Sequence, residues 1–261
     1  MARSSDGTSI AYDRSGAGPA VVLVAGALSD RSTARPLSGQ LAATFSVFAY
    51  DRRGRGDSGD TAPYAVEREI EDLDAVVRMA GGTAFVFGHS SGAALAMRAA
   101  AAGVSMQRLA LYEPPFMVDD SRALPPADYA SRLTTALAQG RRGDALELFM
   151  TVAVQTPPDA VAQMRQSPYW SGMEAMAGTL AYDQAVMEGT MTGGPLPAAW
   201  ARSITLPVLA MDGGASPSWA RHAVEAVAAL LPDTEHRTLD GQGHGADPGM
   251  VAAELRRFFL A

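Results

Sequence analysis

Short apolar runs alternate with segments of helical periodicity through the first 117 residues and again after residue 205. The runs 19–24 and 84–87 contain no charged residue, as is typical of strands buried on both faces. The predicted strands are 9–12, 19–24, 45–50, 84–87, 108–112, 207–211 and 235–239, and the predicted helices are 66–79, 92–102, 218–231 and 250–260. Strands and helices in this order predict a mostly parallel central sheet covered by helices on both faces.

Strand signals are absent between residues 118 and 204, where helical stretches are interrupted by proline and glycine. The interruptions are Pro125-Pro126, Pro157-Pro158 and Gly193-Gly194-Pro195. This pattern predicts an α/β core formed by residues 1–117 and 205–261, with a helical cap, residues 118–204, inserted into it.

Composition narrows the range of functions. The chain has 261 residues, of which 48% are hydrophobic, and this suits one soluble domain with an insertion. Its formal charge of −7 argues against partners such as nucleic acid or an anionic membrane, and favours a small-molecule partner. The absence of an apolar leader and of a long uncharged apolar run predicts a cytoplasmic protein.

Two residue types are missing from the chain. Without cysteine there is no disulfide, thiolate metal site or cysteine nucleophile, and without lysine there is no Schiff base. The four histidines show no metal-ligand spacing, so we expect neither a metal nor another cofactor.

The strongest chemical signal is the motif Gly88-His89-Ser90-Ser91-Gly92, which lies between a predicted strand and a predicted helix. A serine between a strand and a helix can occupy a sharp, strained turn that exposes its hydroxyl. The flanking glycines suit such a turn because a β-carbon there would collide with neighbouring backbone. We therefore expect Ser90 to be a nucleophile.

A serine hydroxyl needs a base to accept its proton during attack, and histidine suits this role near neutral pH. His244 lies in a glycine-rich loop just before the last predicted helix and follows every other candidate group in the chain. His89 is next to Ser90 but is expected to point away and to pack, while His222 and His236 are expected at the surface. His244 is thus the predicted base.

Three segments together resemble the α/β-hydrolase superfamily: the Ser90 motif, the stretch from Tyr50 to Gly59, and Gly243-His244. The resemblance implies the α/β-hydrolase fold and a serine, acid and histidine triad. It also implies an oxyanion hole formed by the backbone N–H groups of Ala27 and Ser91.

The third triad member departs from the common family pattern. The stretch in which the family usually has its aspartate reads Gly213-Gly214-Ala215-Ser216, and a serine cannot stabilise an imidazolium by charge. Glu113 ends the strand after the Ser90 helix, which resembles the acid position of zearalenone-type lactonases. Asp212 is the alternative acid. Replacing Glu113 by Gln and Asp212 by Asn distinguishes the two.

Six methionines lie in the predicted cap, five of them in its second half, at positions 150, 164, 173, 176, 187 and 191. Flexible thioethers adapt to irregular apolar shapes, so this region could either fill its own core or line a substrate pocket. The candidate pocket residues are Met150, Tyr169, Trp170, Met173 and Met176. Together these features predict hydrolysis of an ester or lactone of a small hydrophobic substrate.

Other reactions on the same fold give alternatives. A lyase or a biosynthetic cyclase would use the same residues with water excluded, and a ligand receptor would bind without turnover. Epoxide hydrolysis and dehalogenation need a carboxylate where this chain has Ser90, and are excluded.

Overall fold

The computed structural model describes residues 1–261 and contains a seven-stranded sheet and a separate two-stranded sheet. The strands are β1 (Ala2–Arg3), β2 (Ser9–Ile10), β3 (Tyr12–Ser15), β4 (Ala20–Val24), β5 (Ser46–Tyr50), β6 (Ala84–His89), β7 (Met106–Tyr112), β8 (Val208–Gly213) and β9 (Thr234–Leu239). The large sheet has the order β3-β5-β4-β6-β7-β8-β9, and only β3 runs antiparallel to its neighbour. The prediction of a mostly parallel sheet is confirmed, although the expected edge strand at 9–12 divides between β2, which pairs with β1, and β3.

Helices cover both faces of this sheet. They are α1 (Arg35–Leu41), α2 (Val66–Met79), α3 (Ser91–Ala101), α4 (Tyr129–Ala138), α5 (Arg142–Leu148), α6 (Pro158–Arg165), α7 (Trp170–Met176), α8 (Leu180–Val186), α9 (Trp200–Ser203), α10 (Ser218–Leu230) and α11 (Pro248–Phe259). Successive strand residues point to opposite faces, and so β4 contributes Val22 and Val24 to one apolar cluster and Val21 and Leu23 to the other. The first cluster is closed by α2, α3 and α10, and the second by α1 and α11.

The helical stretch between β7 and β8 has a small core of its own. Tyr129, Leu133, Leu146, Trp170 and Leu180 are buried together in it. A π-helical turn, Phe149–Ala153, follows α5 directly. No helix of the structure combines the length and the apolar character needed to cross a bilayer.

The carboxyl ends of β4, β6, β7 and β8 lie at one edge of the sheet because these strands are parallel neighbours. The segments that leave them carry Gly26, Ser90, Glu113 and Gly214 in turn. In open parallel sheets this edge is where functional groups from distant parts of the chain meet.

Candidate active site

Ser90 occupies the sharp turn between β6 and α3, with φ 56° and ψ −128°. This conformation is strained for a residue with a side chain. A β-carbon on Gly88 would lie 2.6 Å from Cα of Ala93, and one on Gly92 would lie 2.3 Å from the Val24 carbonyl oxygen. The two glycines therefore allow the turn to be this tight, and the Ser90 side chain lines a cavity.

The structure brings His244 and Glu113 together. His244 Nδ1 lies 2.7 Å from Glu113 Oε2, and the Gly213 backbone N–H donates to Glu113 Oε1 at 2.8 Å. The Ser216 hydroxyl also lies beside this carboxylate and favours its charged form, without reaching full hydrogen-bond geometry. Burial raises the pKa of Glu113, but these donors outweigh it and hold the pKa below its usual value. Glu113 is thus a buried, ionised acceptor for the His244 ring.

His89 and Tyr112 hold the loop that carries His244. His89 Nε2 lies 2.9 Å from the His244 carbonyl oxygen, and the Tyr112 hydroxyl donates to the Gly243 carbonyl at 2.6 Å. Burial and the neighbouring His244 ring lower the pKa of His89 from 6.5 to about 4, so near pH 7 it is a neutral donor through Nε2. The expectation that His89 only packs missed this role, and its position next to Ser90 was the available signal.

Ala27 and Ser91, the two expected oxyanion donors, lie close to Ser90. A β-carbon on Gly26 would lie 2.9 Å from Ser90 Cβ, which shows how closely the loop after β4 approaches the serine. Ala27, the next residue, makes no hydrogen bond through its N–H. Ser91 is the first residue of α3, where a helical N–H has no partner within the helix. Both residues line the same cavity as Ser90.

A buried ion network is hydrogen-bonded to the Ser91 hydroxyl and to the Gly26 carbonyl. Arg52 Nη1 and Arg55 Nη2 each lie 2.7 Å from a different oxygen of Asp183, and the Ser91 hydroxyl donates to Asp183 at 2.7 Å. Arg52 also forms a two-bond ion pair with Glu69, at 2.7 and 2.8 Å. Two arginines thus face two carboxylates, and Asp183 ties α8 to the core.

Arg55 also sets the direction of one peptide group. Its Nη1 donates to the Gly26 carbonyl oxygen at 2.5 Å. In a trans peptide the C=O and the following N–H point in opposite directions. The contact with Gly26 therefore turns the Ala27 N–H away from Arg55.

Asp212, the alternative acid, lies on β8 but is not brought to His244. Its buried carboxylate accepts from His236 Nε2 at 2.6 Å and from the Thr238 hydroxyl at 3.0 Å. Gly213, the next residue on the strand, is the one that contacts Glu113. Asp212 is paired with Thr238 in the register of β8 and β9, so the two side chains lie on the same face of the sheet and meet there.

The cavity at Ser90 has a volume of about 430 Å³. Its apolar wall combines residues of the helical stretch between β7 and β8 with one residue after β8. These are Phe149, Leu180, Met187, Met191 and Trp219. A smaller cavity of about 200 Å³ borders His89 and His244 but does not include Ser90 in its lining.

The five residues expected to line the pocket lie elsewhere. Trp170 is buried in the small core of the helical stretch, and Tyr169 is 79% exposed. Met150 and Met173 pack against that small core, and Met176 is likewise absent from the cavity wall. The methionines that do reach the cavity are Met187 and Met191, which follow α8, a helix that packs against α3.

No group of three or more histidine, aspartate or glutamate side chains is arranged to hold a metal ion.

Comparison with known proteins agrees with this architecture. A family model described as the alpha/beta hydrolase family matches residues 21–255. A solved alpha/beta hydrolase from Sphaerobacter thermophilus is 56% identical, covers 98% of each chain and has a TM-score of 0.92. An esterase from a Rhodococcus species has a TM-score of 0.72 at 22% identity, over 100% of this chain and 98% of that one, a likeness that shows the fold alone.

One curated relative matches over a shorter segment. It is N-formylmaleamate deformylase from Pseudomonas putida, 36% identical over 114 residues, which are 42% of this chain and 42% of that enzyme. The match thus spans less than half of the relative's length. The family model covers most of the chain, and the hydrolase from Sphaerobacter thermophilus is identical at more than half of the aligned positions over nearly the whole chain. This protein therefore belongs to the alpha/beta hydrolase family.

Proposed function

We propose that this protein is a serine hydrolase that cleaves an ester or lactone through Ser90, His244 and Glu113. The observation that carries the proposal is the 2.7 Å contact between His244 Nδ1 and the ionised Glu113, with His244 and Ser90 lining one cavity. A histidine held in this way keeps its second nitrogen, Nε2, free to accept a proton.

The reaction has two halves. In the first, Ser90 Oγ attacks the substrate carbonyl carbon and its proton passes to His244 Nε2, while Glu113 stabilises the imidazolium. The carbonyl oxygen becomes an oxyanion that accepts from the Ala27 and Ser91 N–H groups, each of which contributes about 2.7 to 4 kcal/mol to transition-state stabilisation. The leaving alcohol takes the proton, and water then attacks the acyl-enzyme by the same route.

The Ser90 hydroxyl makes no hydrogen bond to His244 in the structure. In apo enzymes such contacts are often long and close only in the complex with substrate. Both groups line the cavity, which is the condition that the proposal needs.

Residues 118–204 act in this proposal as a cap over residues 1–117 and 205–261. Support comes from Phe149, Leu180 and Met187, which form the cavity wall opposite Ser90. Their apolar side chains favour a small hydrophobic acyl or lactone ring. The use of Glu113 as the acid resembles zearalenone-type lactonases, and this favours testing lactones beside open-chain esters.

Hydrolysis of an N-formyl amide is a second candidate, favoured by the 36% identity over 114 residues with the deformylase. The same nucleophile, base and oxyanion donors would serve it, with an amine as the leaving group. Turnover of an N-formyl amide without turnover of esters would favour this candidate over the first.

The proposal is tested by steady-state hydrolysis of 4-nitrophenyl butyrate and of a small lactone. We expect turnover by the wild type, a loss of at least about 10³-fold in kcat for Ser90→Ala, and no change for Ser105→Ala, an exposed serine outside the site. Equal activity of Ser90→Ala and the wild type would contradict the proposal. A wild type whose Ser90 reacts with a fluorophosphonate, but which hydrolyses none of these substrates, would favour a lyase or a cyclase.

A further inference from the structure

Four arginine side chains are buried in this protein: Arg52, Arg53, Arg55 and Arg122. The first three each form an ion pair with a carboxylate at 2.7 Å. Arg122, only 8% exposed, forms none. A buried cation without a counter-charge is costly, and proteins usually pair such a group or use it to bind an anion.

Arg122 lies in the wall of the Ser90 cavity. Its Nη2 donates to the Ala153 carbonyl oxygen, and its guanidinium carbon lies 4.4 Å from the centre of the Trp219 ring. Its Nε is fully buried and has no hydrogen-bond partner. Its Nη1 also has no partner, but it keeps some solvent exposure. The Ala153 carbonyl and the Trp219 indole thus hold the guanidinium in place. Its Nη1 remains free to donate a hydrogen bond.

Nothing else in the cavity wall compensates this charge. The one carboxylate of the wall, Asp183, is already held by Arg52 and Arg55. Asp119, close to Arg122 in sequence, instead pairs with His222 at 2.6 Å. Burial lowers the pKa of Arg122, and no neighbouring carboxylate raises it.

We propose that Arg122 binds an anionic group, in particular a carboxylate, at one end of the substrate whose carbonyl reacts with Ser90. The preferred substrate would then be a monoester or monoamide of a short dicarboxylic acid, with an apolar chain against Phe149 and Met187 and its free carboxylate on Arg122. The open Nη1 of the guanidinium can donate a charge-assisted hydrogen bond to one oxygen of such a carboxylate. This inference rests on the proposed hydrolysis at Ser90, and refines the expected hydrophobic substrate by adding one charge.

Pairs of substrates that differ by one charge test the inference. The 4-nitrophenyl monoesters of glutaric and adipic acid are compared with their methyl-capped counterparts, after subtraction of the uncatalysed rates. We expect the wild type to favour the free acid in kcat/KM by tenfold or more. Arg122→Gln should lower kcat/KM for the acid by about tenfold to a hundredfold and leave the methyl-capped ester within about threefold.

Two further variants separate charge from structure. Arg122→Lys keeps the charge without the planar fork and should retain part of the preference. Arg202→Gln removes an exposed arginine of α9 and should change neither substrate. An equal loss on both substrates in Arg122→Gln, or a wild type without charge preference, would overturn the inference while leaving the proposed hydrolysis intact.

Equilibrium binding gives a readout that does not depend on turnover. Calorimetry with glutarate should detect binding to the wild type and at least tenfold weaker binding to Arg122→Gln. Equal binding to both would overturn the role of Arg122. Failure of the proposed hydrolysis would look different, since the wild type would then hydrolyse neither ester of a pair and Ser90 would not react with a fluorophosphonate.

Discussion

Replacing Glu113 by Gln exchanges a buried carboxylate for an amide of nearly the same shape. The two oxygens of Glu113 accept from the Gly213 N–H at 2.8 Å and from His244 Nδ1 at 2.7 Å. An amide has only one acceptor oxygen, and turning its NH₂ group towards Gly213 would set two donors against each other. The amide oxygen must therefore face Gly213 and the NH₂ group must face His244.

In that arrangement His244 Nδ1 has to accept a hydrogen bond, and the ring proton moves to Nε2. A ring protonated at Nε2 cannot take the proton of Ser90. In serine hydrolases this change of tautomer lowers kcat by about 10⁴-fold. For Glu113→Gln we expect a loss of 10³- to 10⁴-fold in kcat, roughly 4 to 5.5 kcal/mol. KM should change by less than about threefold, because Glu113 does not line the cavity.

Asp212→Asn is the matched control, since it makes the same chemical change at the next buried carboxylate along the sheet. Asp212 accepts from His236 and Thr238, not from His244, so kcat should stay within about threefold. Its cost should appear as about 1 to 3 kcal/mol of unfolding free energy, measured by urea titration. A larger loss of kcat in Asp212→Asn than in Glu113→Gln would refute the assignment of the acid.

Three further predictions concern the groups around the reacting residues. Arg55→Gln removes the donor to the Gly26 carbonyl oxygen, so the following Ala27 N–H loses its fixed direction. We expect kcat to fall by about tenfold to a hundredfold with little change in KM. An unchanged kcat would contradict this. Asp183→Asn leaves two buried arginines short of one negative charge, and urea titration should give a free energy of unfolding about 3 to 5 kcal/mol lower. In the folded protein the pKa of His89 is lowered from 6.5 to about 4. Between pH 6.5 and pH 4 the unfolded chain therefore binds a proton at this residue that the folded chain does not. Lowering the pH from 6.5 to 4 should then reduce the free energy of unfolding by up to about 3 kcal/mol. Comparison of the wild type with His89→Gln at pH 7 and at pH 4 checks this, and identical pH dependence of the two proteins would count against it.

The parts of the site that local sequence could predict are those coded within a few residues. The strand, tight turn and helix around Ser90 are readable because Gly88 and Gly92 are required by backbone contacts on either side. The His244–Glu113 contact joins a glycine-rich loop to a strand end, and Glu113 was expected there because of the resemblance to the α/β-hydrolase superfamily. The sheet could be predicted for a similar reason, since strands such as β4 and β6 are apolar on both faces.

The remaining parts depend on long-range packing. Asp183 and Arg52 form an ion pair although they are 131 residues apart in the chain. The sequence near either residue contains no pattern that predicts this pair. The cavity wall depends on how each short helix is rotated, so Met187 faces Ser90 while Trp170 turns into the small core of the helical stretch. Trp219 lies at the start of α10, outside the stretch from which pocket residues were expected.

Covalent modification of Ser90 tests the central claim most directly. The wild type, Ser90→Ala and Ser105→Ala are treated with a fluorophosphonate, and the adduct is located by mass spectrometry of the intact proteins and their peptides. We expect one adduct per chain on Ser90 in the wild type and in Ser105→Ala, and none in Ser90→Ala. An adduct of equal yield in Ser90→Ala, or a wild type that stays unmodified while correctly folded, would contradict it.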